Sequence, residues 1–260
     1  MIVRKLGFLL LFLAGSALAQ GFDHSHKALD SLLKKHVVLV DGGKASQVRY
    51  VEFAKDRAAL KSYLDALSAV PEADFRGWTK PQQMAFLINA YNGYTVELIL
   101  ANYPLKSIKD IGSDVFSNRW KKKFFKLLGQ DSYLDQIEHE MLRKPGAYNE
   151  PRVHFAVNCA SIGCPMLREE AFVAERLEAQ LEEQARRFLS DRSRNRLAAG
   201  RLEVSKIFDW FKEDFGVRER FFAKYAAQLT DGAEQQKLVA DGKAPLSFLD
   251  YDWTLNDARK

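Results

Sequence analysis

The chain has 260 residues, 47% of them hydrophobic and 28% charged, with 15 glycines, 7 prolines and 2 cysteines. This composition excludes a collagen-like, low-complexity or disordered chain, and two cysteines close at most one bridge, which excludes a scaffold held by many disulfides. A mean hydropathy of -0.29 excludes a multi-span membrane protein, so any membrane segment must be local.

Met1 to Ala19 places Arg4 and Lys5 ahead of an apolar run, Leu6 to Ala14, and closes on Ser16, Ala17 and Ala19. The run is shorter than the roughly 20 residues a spanning helix needs, and Ala17-Leu18-Ala19 fits a signal-peptidase site. The pattern predicts a secretory signal peptide over 1–19, with a retained anchor as the alternative. The mature chain would begin near Gln20 and be periplasmic or secreted, with no membrane span after cleavage. No Cys follows the cleavage point, so a lipid-anchored terminus is not expected.

Of the 39 Lys and Arg, two leave with that segment, so 37 stand against 34 acids and the formal charge falls from +5 to +3. The densest basic run, Arg119 to Lys126, reads as a solvated, mildly basic surface, with contact to acidic lipid or polyanions as the alternative. No nucleic-acid partner is expected, because such binders concentrate charge on one face or helix.

In chain order, Ala28 to Lys35 carries Leu29, Leu32 and Leu33 at helical spacing, and Arg57 to Leu67 repeats the pattern with Leu60, Tyr63, Leu64 and Leu67. Thr79 caps a long helix with Pro81 in its first turn, running to about Asn102 before Pro104 forbids continuation. That helix is apolar on nearly all sides and should be central. Lys123 to Leu128 predicts a strand and Tyr133 to Arg143 a helix, stopped by Lys144-Pro145-Gly146. Arg152 to Val157 has the content of a strand. A charge-laced helix follows over about Arg168 to Ser190, then a strand at Arg201 to Ser205 and helices at Lys206 to Asp214 and Val217 to Ala226. No repeat or linker interrupts 27–252. The expected fold is α+β, a helix-rich single domain over 20–260 with a small sheet.

Chemistry concentrates in Val153 to Leu167, which holds both cysteines and His154. Cys159 leaves the predicted strand. Cys164 precedes Pro165, which as a first helical residue would put Cys164 at a helix N-terminus, where the dipole favours a thiolate. Either could be a nucleophile; equally, in an export compartment the two could form a disulfide. On a strand, His154, Ala156 and Asn158 share one side, so His154 approaches Cys159 only if the strand ends first.

Thiol catalysis needs a base and a group that orients it. Glu138 and His139 are suitable, but adjacent helical residues point about 100° apart, so Glu138 is not expected to orient His139 directly. A solvated pair is the bland alternative. Asn89 and Asn92 share a face of the long helix; as buried amides they would hold a neighbouring loop or line a pocket.

His24 and His26 beside Asp23 read as a frayed terminus rather than a chelating tip. Cys159, Cys164, His139 and His154 have types that suit zinc, but paired-knuckle spacing is absent and no metal or other cofactor is expected. No phosphate-cradling glycine loop and no G-x-S-x-G elbow occurs.

The series AFLINAYNGYTV, SYLDQIEHEMLR, RVHFAVNCASIGCPML and VSKIFDWFKEDF resembles the family called domain of unknown function 547, from Phe22-Asp23-His24-Ser25 to about Tyr225. The residues that match the family pattern are Asn89, Tyr91, Asn92, Glu138, His139, Arg143, His154, Cys159, Cys164, Pro165, Trp210 and Asp214. The resemblance implies exported bacterial or plant proteins and carries no assigned activity. A long central helix followed by a His-bearing strand is also similar, by fold-level analogy, to papain-like and transglutaminase-like folds, although the helix at Asn89 would lack the expected cysteine.

Two functions are therefore expected in competition. One is an exported thiol-dependent hydrolase or acyl-transfer enzyme acting on an amide or thioester of the cell envelope. In it Cys159 is the nucleophile, His139 or His154 the base, and Glu138, Asn89 and Asn92 orient the base or bind substrate, with Tyr91, Arg143 and Cys164 beside them. The other is a periplasmic binding or scaffold module stapled by a Cys159–Cys164 disulfide, whose partner would be an envelope substrate or protein.

Overall fold

A computed structural model describes residues 21–112 and 120–258; the predicted signal peptide lies outside them. The chain opens with α1 (Lys27–His36), a hairpin of β1 (Val37–Val40) and β2 (Ala45–Val48), and the short α2 (Tyr50–Phe53). Next come α3 (Arg57–Ser68), α4 (Glu72–Gly77) and the long α5 (Lys80–Asn102). A second hairpin joins β3 (Phe125–Leu127) to β4 (Gln130–Ser132). After a long irregular stretch come α6 (Leu177–Leu189), β5 (Arg196–Ala198) and β6 (Arg201–Val204). The chain closes with α7 (Ile207–Trp210), α8 (Arg218–Lys224), α9 (Ala226–Leu229), α10 (Ala233–Ala240) and β7 (Leu246–Phe248). β6 pairs antiparallel with β5 and parallel with β7, making a three-stranded sheet. The fold is α+β and helix-rich, as expected, with its strands divided among three small sheets rather than one. No helix among the described residues is long and apolar enough to cross a membrane.

α5 is the axis. A Thr79–Gln82 capping box and Pro81 start it, and nearly every residue from Gln83 to Leu100 is buried. α3 packs on it through Leu60, Tyr63, Leu64 and Leu67, and approaches closely because Gly93 has no side chain: a Cβ there would sit 3.0 Å from Leu64 Cδ2. One apolar core surrounds α5. A second gathers Phe155, Phe188, Phe208, Phe215 and Phe222.

Four sequence expectations give way to local hydrogen bonding. Residues 151–155 form a 3-10 helix rather than a strand. Pro151 starts it, the Glu150 carboxylate accepts from the Arg152 N–H at 3.0 Å, and Ala156 and Val157 N–H groups return to Val153 O, so no ladder remains to be made. The β-branched and aromatic residues there serve burial instead. The segment Arg168–Val173 is not yet helical, because side chains have taken its main-chain groups. Asn89 bonds both the N–H and the C=O of Phe172, Gln180 bonds Val173 N–H and Ala171 O, and Asp30 takes Ala171 N–H.

Gln136–Leu142 winds as a π-helix, its wider turn marked by Arg143 N–H reaching Glu138 O. π-turns recur at functional sites. Finally, Cys164 stands at no helix N-terminus, since 165–173 is irregular and its own N–H bonds Ser161 O at 3.1 Å.

Several charges on α6 pair with the loop that precedes it. Glu178 and Glu182 pair with Arg152, Glu183 with Arg168, and Arg187 with Glu169, so the helix clamps the loop 150–170 along its length.

The N-terminal histidines are packed rather than frayed. Phe22 stacks on Trp78 at 5.5 Å, His24 meets Trp78 edge-on, and the buried His26 bonds the Tyr63 hydroxyl at 2.7 Å.

Candidate functional site

The loop 156–164 is held from three sides. Asn92 on α5 donates to Ala156 O at 2.9 Å and accepts from the Asn158 N–H at 2.9 Å. Asn158 in turn donates to Pro165 O at 2.7 Å, closing the turn across its base. On the far side, residues 252–256 run beside it: Ile162 N–H bonds Thr254 O, Gly163 N–H bonds Asp252 O, and Asn256 N–H bonds Ala160 O. Gly163 is required there, because a Cβ would stand 2.9 Å from the backbone N and O of Asp252. Asn89 and Asn92 thus both clasp main chain, and Asn92 positions the turn that carries the thiols.

Inside this turn the two sulfurs are 2.7 Å apart, and both thiols are free. The Cys159 N–H donates to Cys164 Sγ at 2.8 Å. Cys159 Sγ also meets the Ser161 hydroxyl at 3.3 Å and the Tyr251 hydroxyl at 3.2 Å. These contacts, led by the bond from Cys164, outweigh burial and hold the Cys159 thiol below its ordinary value. Burial pushes Cys164 the other way, well above it, with the neighbouring Cys159 adding to the rise. A half-buried, acidified thiol next to a buried protonated one is an environment that favours reactivity at the first.

Cys159 opens into a cavity of about 190 Å³ where the two apolar cores meet. Trp120, Trp210, Phe211, Tyr251 and Trp253 wall it; Tyr251 sits 4.6 Å from Trp253 and 4.9 Å from Trp210 between ring centres. Glu138, His139, His154 and Asp135 line the same space, so the structure brings together all four residues expected to be catalytic. Tyr91 and Cys164 also line it, whereas Asn89, Asn92 and Arg143 do not. Among the described residues, neither histidine hydrogen-bonds the Cys159 sulfur, whose partners are those named above.

Glu138 comes from the π-turn, is buried, and is pushed up to about 7, first by desolvation and then by the nearby Cys159 charge. His154 is 3% exposed, stacks on Phe211 at 4.1 Å and bonds Asp214 through Nε2 at 2.6 Å. Desolvation lowers its basicity, so the ring is neutral near pH 7. The Asp214 carboxylate can only accept, which puts the proton on Nε2 and leaves Nδ1 as the basic nitrogen. Arg143 donates through Nε to the same Asp214 Oδ2 and through Nη2 to Oδ1, and its Nη1 donates to Nδ1 of the exposed His139. His139 is therefore occupied by a cation and its basicity is lowered, chiefly by desolvation.

Sequence reasoning missed Tyr251, Trp253, Trp120, Phe211, Ser161 and Asp135. Phe211 lies in the VSKIFDWFKEDF stretch already singled out, and the aromatic density of Tyr251-Asp252-Trp253 was a signal without a motif. Cys159, Cys164, His139 and His154 suit zinc by type. Among the described residues, however, no group of three or more His, Cys, Asp or Glu side chains is arranged to hold a metal ion.

Neither the curated proteins nor the solved structures contain a match to the chain, so the papain-like and transglutaminase-like analogy draws no support from them. Residues 75–189, which include α5, the π-turn, the thiol loop and α6, match the family described as a protein of unknown function, DUF547. That stretch, which supplies Glu138, His139, His154 and both cysteines, is similar to the DUF547 family.

Proposed function

We propose that the protein is an exported, thiol-dependent hydrolase or acyl-transfer enzyme acting on an amide or thioester. The observation that carries this reading is the convergence, in one aromatic-walled cavity, of an acidified Cys159, a Glu138 carboxyl poised near 7, and a His154 oriented by Asp214. The thiolate attacks the acyl carbon and a thioester forms. The leaving amine or thiol departs with the proton of Glu138, whose pKa near the working pH suits a general acid. Water, deprotonated at His154 Nδ1, then releases the acid and returns Cys159. His139, held by Arg143, is the weaker candidate for the base. Export rests on the Met1–Ala19 pattern, and N-terminal sequencing of the protein recovered from its cell would show a start near Gln20.

The test uses a small activated ester. With p-nitrophenyl acetate the full chain should release one equivalent of nitrophenol in a burst and carry an acetyl group on Cys159 by peptide mass mapping. Cys159→Ser should abolish both, while His154→Gln should leave the acetyl group in place for longer. Acetylation elsewhere, or none, overturns the proposal.

A further inference from the structure

The acyl-transfer reading makes one sulfur the nucleophile and uses Cys164 only as its hydrogen-bond partner. Cys164 is 5% exposed, behind Cys159 at the wall of the cavity, and no proton in the proposed chemistry passes through it. The two sulfurs nevertheless lie 2.7 Å apart in a turn whose ends are fixed by Asn92, Asn158 and the 252–256 segment. A bond of about 2.05 Å between them needs a small approach within a loop already closed, not a rearrangement of the fold.

We infer that Cys159 and Cys164 are a peroxide-responsive pair, in which a hydroperoxide oxidises Cys159 and Cys164 resolves the product as a disulfide. The Cys159 thiolate attacks the distal oxygen of ROOH. An S–O bond forms, the O–O bond breaks, and the alkoxide takes up the proton released when the thiol ionised. Sulfur has lost two electrons and the peroxide has gained them. The Cys164 sulfur then attacks the sulfenic sulfur; the S–S bond forms, the S–O bond breaks, and hydroxide leaves with the Cys164 proton as water. The sum is two thiols plus ROOH giving a disulfide, ROH and water.

The environment supports the order of events. Cys159 is half-buried and opens on the cavity, so it meets the oxidant first. Cys164 is held protonated by burial and, beyond that, by the bond and charge of the Cys159 sulfur. Oxidation of Cys159 to a neutral sulfenic acid removes that charge, so Cys164 becomes easier to ionise at the step that requires it. The oxidation itself does not depend on the acyl-transfer reading. Its consequence, loss of the nucleophile until a dithiol reductant restores it, does.

The reduced, full-length protein treated with one equivalent of hydrogen peroxide or tert-butyl hydroperoxide should lose two hydrogens by intact mass, with the bond mapped to Cys159–Cys164. Cys164→Ser, shown folded by circular dichroism, should stop at a Cys159 sulfenic acid that dimedone traps. A wild-type protein that stays reduced, or that gains oxygens on Cys159 while Cys164 remains free, overturns the inference. In a parallel arm, acetylation by p-nitrophenyl acetate should vanish on oxidation and return with dithiothreitol. If the reduced protein is never acetylated, the acyl-transfer reading falls while the mass result still decides this one.

Discussion

The His154 ring and the Asp214 carboxylate meet at 2.6 Å although 60 residues separate them, and Arg143 bonds both oxygens of the same carboxylate, sharing Oδ2 with His154. Desolvation opposes the Asp214 charge, but the bonds from His154 and Arg143 win and hold its carboxyl below the usual range. A depressed carboxylate contributes stability that is present above its unfolded value, about 3.9, and is lost as pH falls toward the folded value. Asp214→Asn should therefore cost about 2–3 kcal/mol at pH 7, the scale of a charged hydrogen bond. Urea unfolding at several pH values should show this gap constant above about pH 4 and shrinking below it.

Cys159 alkylation provides the second prediction. Iodoacetamide labelling against pH should show a midpoint below the ordinary thiol value of about 8.5, with Cys164 unlabelled. Tyr251 is one of the groups that lower it. Tyr251→Phe should move the midpoint alkaline by roughly one unit, since one hydrogen bond to a charged atom is of that size.

Asn92 should behave as a structural clasp. Asn92→Ala leaves the buried Asn158 N–H and Ala156 C=O without their partner. At about 1–3 kcal/mol for each unsatisfied group, the loss by chemical denaturation should be about 2–6 kcal/mol, with faster but less pH-selective labelling of Cys159.

His26 predicts an acid-sensitive N-terminus. Burial lowers it to about 4, and its Nε2 has no hydrogen-bond partner to receive a proton's charge. Between about 6.5 and 4 the unfolded chain binds a proton that the folded chain refuses, so stability falls as pH drops through that window. Urea midpoints of wild type should show this slope, and His26→Gln should flatten it.

The helices α1, α3 and α5 were legible because a buried stripe imposes its period on the sequence, and α5 also carries its own cap and stop. The hairpin β1–β2 was not read. Its Asp41-Gly42-Gly43 turn was visible, but Val37–Val40 follows α1 without a break, and only pairing with β2 distinguishes it from a continued helix. The strand expected at 152–157 failed because capping by Glu150 and Pro151 decides that segment, not its β-branched content. At the site, the reactive residues were legible by type, since few side chains carry thiol or imidazole chemistry. Their mutual placement was not. Asp214 reaches His154 by a fold in the chain after α7, and a π-turn rather than an α-turn presents Glu138.

The segment 251–256 walls the cavity and clamps the thiol loop, and it also completes the polar surroundings of the Cys159 sulfur. Tyr251 lies 92 positions from the sulfur it acidifies, and Gly163 and Ile162 bond its neighbours directly. Cys164 and Ser161 acidify the thiol locally, and Tyr251 adds its share only when this segment docks. The extra labelling of Cys159 at neutral pH that Tyr251→Phe removes would therefore report that docking.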